Sequence, residues 1–206
     1  MRTRWSSPAP LLADRHLYLV TPVRPDFRAF LEAAIRGGVD VVQVRERSLS
    51  DGVLLEALAE AREVTAAHDI PFGVNDRPDL AVLAGAEFVH VGQADIPVEV
   101  ARRFGLPVGL STHAPEEIEA ARSDYIAVGP VHATPTKEGR PAVGLELVRY
   151  AAANARLPWF AIGGIDASNV ADVVAAGATR IAVVRAIVEA ADPEPAARVL
   201  RSTLPS

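Results

Sequence analysis

The chain has 206 residues, no cysteine and a formal charge of -5 with acids and bases interspersed. That length suits one domain with a sizeable core. The lack of cysteine excludes disulfides, thiolate metal sites and thiol nucleophiles, and the charge leaves no basic footprint for nucleic acid.

Residues 1–14 read as an N-terminal extension, in which Ser6 to Pro10 breaks any apolar stretch of the kind a secretory signal needs. No apolar run approaches the ~20 residues of a bilayer span, so a cytoplasmic catalytic domain over 15–206 is expected. Eight short apolar runs follow, at Leu17–Thr21, Val41–Arg45, Pro71–Asn75, Phe88–Gly92, Pro107–Ser111, Tyr125–Gly129, Trp159–Gly163 and Arg180–Val184. Each is nearly continuously apolar, as parallel strands buried on both faces are. Ala-rich segments with helical spacing separate them, with stripes at Phe27, Phe30, Leu31 and Ala34 and at Leu54, Leu55, Leu58 and Ala61. Ser50-Asp51 and Asp166 are expected helix starts, and Gly37-Gly38, Gly85 and Gly177 expected stops. Asp192 to Leu204 reads as a closing helix. The pattern predicts an α/β protein, a single (β/α)8 TIM barrel with short loops. A doubly wound sheet is the alternative, but it would not carry chemistry at the end of almost every strand.

Nearly every run ends in polar residues or glycine, where such barrels build active sites. At Gln43-Val44-Arg45-Glu46-Arg47, side chains two apart share a face, so Arg45 and Arg47 make a fork suited to a phosphate or carboxylate. The competing reading is a salt-bridge cluster with Glu46 or a neighbouring acid. Asp76 and Asp95 end different strands and could meet over the pore as a Mg2+ site completed by phosphate oxygens. Each could equally cap the helix that follows it. The loop from Gly129 to Pro141 carries Thr134, Thr136, Lys137 and Arg140 and suits an anion-binding lid. Gly163-Gly164 and Val184-Arg185 occupy the usual phosphate position of such barrels. Among the histidines, His68 reads as solvated, His90 as a satisfied core residue, and His113 as one that could reach the pore.

These pieces come in one order: Gln43-Val44-Arg45-Glu46-Arg47, Val74-Asn75-Asp76, His90-Val91-Gly92-Gln93-Ala94-Asp95, Gly109-Leu110-Ser111-Thr112-His113, Gly129-Pro130 with Thr134-Pro135-Thr136-Lys137, and Ile162-Gly163-Gly164-Ile165. Together they resemble the thiamine phosphate synthase family over nearly the whole chain, from Leu17 to Leu204. The resemblance implies condensation of 4-amino-2-methyl-5-hydroxymethylpyrimidine diphosphate with 4-methyl-5-(2-hydroxyethyl)thiazole phosphate, releasing pyrophosphate. By position it implies Gln43, Val44, Arg45, Glu46, Arg47, Asn75, Ser111 and Lys137 for the pyrimidine diphosphate. Thr134, Pro135, Thr136, Gly164, Val184 and Arg185 would hold the thiazole phosphate, and Asp76 and Asp95 Mg2+. Arg45, Lys137 and Ser111 are the residues expected to carry the chemistry.

Two positions depart from that family's usual pattern: Arg47 stands where Lys is common, and Arg185 where Ser is frequent. The alternatives are a thiazole tautomerase of the same superfamily, with His113 as proton shuttle, and a non-catalytic phosphate-ligand sensor. The expected partners are two small-molecule phosphate substrates, with no nucleic acid and no membrane, and with homo-oligomer formation left open.

Overall fold

A computed structural model describes residues 11–12, 14–133 and 142–205. Its eight strands are β1 Leu17–Thr21, β2 Val41–Val44, β3 Phe72–Asn75, β4 Phe88–Val91, β5 Val108–Thr112, β6 Tyr125–Val128, β7 Trp159–Ile162 and β8 Ile181–Val183. Each pairs in parallel with the next, and β8 returns to β1 with Leu17 beside Ile181 and Leu19 beside Val183. This is the closed (β/α)8 barrel expected from the sequence. Several strands end earlier than their apolar runs: β2 stops at Val44 and β6 at Val128, where the backbone leaves the ladder for the mouth loops.

The surrounding helices are α1 Phe27–Arg36, α2 Asp51–Ala67, α3 Pro78–Leu83, α4 Val98–Ala101 with a 3-10 turn Arg102–Phe104, α5 Pro115–Ala120, α6 Gly144–Asn154, α7 Val170–Ala175, α8 Arg185–Val188 and α9 Pro193–Thr203. Helix α1 buries Phe27, Phe30, Leu31, Ala34 and Ile35 on one stripe. Burying a side chain of Phe or Leu size contributes roughly 1.5–3 kcal/mol. The helix stops at Gly37, whose N–H reaches the Ala33 carbonyl, and the chain then turns through Gly38. Gly37 also lets α9 approach, since a Cβ there would lie 2.3 Å from the Glu194 carbonyl oxygen. Asp192 caps α9 by accepting from the Glu194 N–H. Ser50 stands at the start of α2 but makes no side-chain cap bond, and α7 begins after Asn169 rather than at Asp166. Asp166 instead accepts from the N–H and hydroxyl of Ser168 within the preceding loop.

Side chains alternate across each strand, so one set faces the helices and the other fills the barrel. Tyr18, Val20, Val41, Phe88, Tyr125, Phe160 and Ala182 pack together inside, and Leu11 and Leu12 join them ahead of β1. The rings of Phe88 and Phe160 meet those of Tyr18 and Tyr125 edge to face, at centroid separations of 5.2 to 6.1 Å. Glycines on the neighbouring strands make the room. A Cβ on Gly73 would lie 2.1 Å from the Phe88 ring, and one on Gly109 would lie 2.1 Å from that of Tyr125.

At the opposite end from the mouth, the acids ahead of β2, β4 and β6 each pin the start of the strand before. Asp40 accepts from the N–H groups of His16 and Leu17 at 2.7 and 2.9 Å, Glu87 from Phe72 at 2.9 Å, and Asp124 from Val108 at 2.8 Å. Burial pushes the Asp40 carboxyl up to about 6 and raises that of Glu87 as well. Among the described residues no helix is long and apolar enough to cross a membrane.

Candidate active site

Gln43 on β2 faces the barrel interior and is buried, and its Nε2 donates to Asn75 Oδ1 of β3 at 2.7 Å. Arg45, next on the same face, is half-buried and its backbone N–H is held by the Thr21 carbonyl. Burial, and next the neighbouring Arg47, pull its guanidinium below its usual range, while Asp76 and Asp95 oppose that fall. Among the described residues Arg45 has no ion pair within 4.0 Å, so the salt-bridge reading does not account for it. Arg47 is exposed and donates from Nη2 to Asp76 Oδ2 at 2.6 Å. Glu46 serves the loop instead: it accepts from the Val23, Arg47 and Ser48 N–H groups and from the Ser48 hydroxyl. Burial disfavours its charge, but those donors outweigh it and its carboxyl sits below the usual range. The Val44 side chain packs outward among the helices, so that position offers the mouth only its backbone.

Asp76 follows β3 in the left-handed backbone region, at φ 59, with its N–H on the His90 carbonyl at 2.9 Å. Aspartate tolerates that conformation better than most residues, and backbone outliers of this kind gather at functional sites. The sharp turn brings its carboxyl beside that of Asp95. Burial raises the Asp76 carboxyl, the Arg47 hydrogen bond opposes it, and the neighbouring Asp95 raises it further. Asp95 itself accepts from the Gly92 N–H at 2.8 Å. Neither aspartate caps a helix: α3 and α4 begin after Arg77 and Pro97, without side-chain cap bonds. A divalent cation would relieve the repulsion between the two carboxyls, so this donor set fits one. Among the described residues no group of three or more His, Cys, Asp or Glu side chains could hold a metal, so the two carboxyls would leave positions for a substrate or water.

Ser111 on β5 is buried, with its hydroxyl 3.0 Å from His90 Nε2 and its carbonyl accepting from Gln93 Nε2 at 2.8 Å. It forms one wall of a cavity of about 230 Å³ shared with His113, Gly129, Gly163, Gly164, Val184 and Arg185. The cavity also takes in Asp166 and Glu189. The chain turns here through Gly163 and Gly164, at φ 106 and 62. Side chains there would also collide, since a Cβ would meet Pro130 at 2.5 Å and His132 at 2.8 Å. Asn169 braces this loop, accepting from the Asp166 N–H and donating to the Gly164 carbonyl. The His113 ring contacts the Gly129 carbonyl through Nδ1. Thr134, Pro135, Thr136 and Lys137 lie outside the described residues.

The mouth therefore carries two anion-compatible regions. Arg45, Arg47 and the paired carboxyls lie over β2 to β4, and the glycine-lined cavity with Arg185 lies over β7 and β8. A family model described as "Thiamine monophosphate synthase" matches residues 17–187. The chain belongs to the thiamine monophosphate synthase family. Within it, the chain is 51% identical over 199 residues to a thiamine-phosphate synthase of Thermus thermophilus, covering 91% of this chain and 96% of that one. It is 48% identical over 227 residues to one of an Arthrobacter species, covering 94% and 96%. Among solved structures, the thiamine phosphate pyrophosphorylase of Pyrococcus furiosus superposes with a TM-score of 0.83 at 31% identity, covering 91% of this chain and 94% of that one. This synthase-family chain is thus an enzyme of the transferase class.

Sequence reasoning did not pick out Tyr18, Tyr125 or Glu189. Tyr18 and Tyr125 sit in otherwise apolar strands and read as core. The signal that could have marked them is strand parity, which puts them on the same inward face as Gln43, Asn75, His90 and Ser111.

Proposed function

We propose that the chain joins 4-amino-2-methyl-5-hydroxymethylpyrimidine diphosphate to 4-methyl-5-(2-hydroxyethyl)thiazole phosphate, forming thiamine phosphate and pyrophosphate. The observation that carries this reading is the pairing of two anion-compatible regions on one mouth, with Ser111 between them lining the cavity and reaching His90. A single phosphorylated ligand would use one such region, whereas a diphosphate and a phosphate that must meet require both.

In this reading Arg45 and Arg47 bind the diphosphate, and Gln43, Asn75 and Ser111 hold the pyrimidine. Gly164, Val184 and Arg185 grip the thiazole phosphate, with Thr134, Pro135 and Thr136 completing that grip from the loop. Asp76 and Asp95 would hold Mg2+, which supplies neutralisation of the charge that gathers on the departing diphosphate. Lys137 adds a further positive charge to the leaving group.

The C–O bond to the diphosphate breaks first, and the aminopyrimidine delocalises the cation left on its methylene carbon. Arg45 and Lys137 stabilise pyrophosphate as its charge develops. The cavity walls then hold the thiazole nitrogen against the methylene carbon, so its lone pair forms the new C–N bond. No protein nucleophile or strong base is needed, because positioning supplies the remaining advantage.

Two incubations followed by NMR test this reading. With both substrates and Mg2+, coupled product should accumulate, whereas a carboxylated thiazole phosphate isomer alone should stay unchanged. Rapid isomerisation of that thiazole without coupling would assign the chain to the tautomerases. Binding of both phosphates with no conversion of either would make it a sensor.

A further inference from the structure

Beneath the mouth, five hydrogen bonds link six side chains of strands β1 to β6 in one unbroken line. Asn75 Oδ1 accepts from Gln43 Nε2 at 2.7 Å, and Gln43 Oε1 accepts from the Tyr18 hydroxyl at 2.6 Å. The Tyr18 and Tyr125 hydroxyls are 3.0 Å apart. Tyr125 then meets His90 Nδ1 at 3.0 Å, and His90 Nε2 meets Ser111 Oγ at 3.0 Å. Gln43, Tyr18, Tyr125, His90 and Ser111 are all buried, His90 being the most exposed of them at 7%. Ser111 at one end lines the cavity and Asn75 at the other is partly exposed, whereas Tyr18, Tyr125 and His90 in the middle do not line the cavity.

A phenol has one proton, so such a line has a direction. Burial holds both phenols above their ordinary range, so each keeps its proton. Tyr18 gives its proton to Gln43 Oε1, so Tyr125 must donate to Tyr18. With that proton committed, Tyr125 can only accept from His90, which must carry its proton on Nδ1. His90 Nε2 is then an acceptor, and the Ser111 hydroxyl donates to it. Reversing the direction would require both amides to turn over and would put an amide N–H at the 2.6 Å separation between residues 43 and 18. That distance suits O–H···O and is short for N–H···O.

We infer that Tyr18, Tyr125 and His90 are positioning residues that fix, from beneath, opposite hydrogen-bonding roles at the two ends of this line. Asn75, its oxygen engaged, presents amide donors, and Ser111, its proton engaged, presents lone pairs. This donor–acceptor pair complements a ligand edge that carries a ring-nitrogen acceptor beside an exocyclic amino donor, as a 4-aminopyrimidine does. A 4-oxopyrimidine presents N–H beside C=O, the opposite order, and would leave buried polar groups mismatched. The line thereby selects amino over oxo heterocycles, although no side chain in its middle meets the ligand. The identity of this ligand rests on the proposed function; the direction of the line does not.

Nitrogen NMR of the full chain labelled with 15N-histidine reads the direction without any substrate, with His90 assigned by loss of its signals in His90→Gln. The expected result is a neutral ring protonated on Nδ1. A ring protonated on Nε2, or an imidazolium, overturns the proposal. In Tyr125→Phe, which removes the acceptor for Nδ1–H, the ring should move toward the Nε2–H form.

Calorimetry with the 4-amino and 4-oxo pyrimidine diphosphates reads the consequence, as the ratio of the 4-oxo to the 4-amino dissociation constant. That ratio should fall about tenfold or more in Tyr125→Phe and in Tyr18→Phe. An unchanged ratio in a folded variant overturns the selective role. If neither compound binds the wild type, the functional reading fails, and the histidine spectrum still decides the direction of the line.

Discussion

Arg47 and Asp76 form an ion pair between the loops that follow the adjacent strands β2 and β3, Nη2 to Oδ2 at 2.6 Å, although the Arg47 side chain is 60% exposed and that of Asp76 only 20%. An exposed arginine is thus drawn onto a half-buried carboxylate proposed as a metal ligand. The arginine and a cation would compete for that carboxylate, while the arginine and a diphosphate would attract. Arg47→Ala should therefore lower the Mg2+ concentration needed for half-maximal rate by a few fold. It should raise the KM for the pyrimidine diphosphate by about tenfold, since a charge-assisted contact is lost. A Mg2+ titration of both proteins checks this, and a higher metal requirement in the variant would contradict it.

Gly73 and Gly109 give up their side chains to the rings of Phe88 and Tyr125. Gly73→Ala should destabilise the barrel by about 2 kcal/mol or more, because ring and backbone must both shift in a packed interior. Adding Phe88→Leu should recover part of that loss. Urea unfolding followed by tryptophan fluorescence gives the numbers, and an alanine variant as stable as the wild type would refute this account of the interior.

The eight strands were legible because parallel strands buried on both faces read as apolar runs, and the stripes of α1 and α2 were legible from spacing. Less visible was what depends on the third dimension. Tyr18 and Tyr125 look like any core aromatics until the barrel closes and brings their hydroxyls together. Asp40, Glu87 and Asp124 look like ordinary loop acids, because nothing local shows that each reaches back to the strand before it. Asp76 and Asp95 were legible as a pair, but the left-handed turn that aims Asp76 was not. Glu46 had the right address for a ligand, yet its carboxylate is occupied by backbone N–H groups and Ser48. The Thr134 to Lys137 stretch, strongest as a motif, lies outside the described residues.

The Asp40 clamp has a pH signature. Its carboxyl is raised to about 6 in the folded chain, against an ordinary value of 3.8. The folded state therefore binds this proton more tightly than the unfolded state, so its contribution to stability is complete at low pH and lost as pH rises through that window. Relative to Asp40→Asn, wild-type stability should fall between about pH 4 and pH 6. Urea unfolding across that range checks it, and a constant difference between the two proteins would contradict it.

Arg185 belongs to the cavity over β7 and β8, and β1 alone separates β8 from the β2 strand that leads to Arg45. Arg185→Ser should raise the KM for the thiazole phosphate several fold to about tenfold and leave that for the pyrimidine diphosphate nearly unchanged. Steady-state kinetics with each substrate varied in turn checks this. Equal effects on both constants would argue against separate anion sites.

The central claim is that one mouth brings a diphosphate and a phosphate together and couples them. Its most direct test measures thiamine phosphate and pyrophosphate in the same reaction vessel, with both substrates present and with each omitted. The two products are expected in equal amounts, only when both substrates and Mg2+ are present, and neither after chelation. Pyrophosphate release from the pyrimidine substrate with no coupled product, or coupling unaffected by removal of the metal, would contradict it.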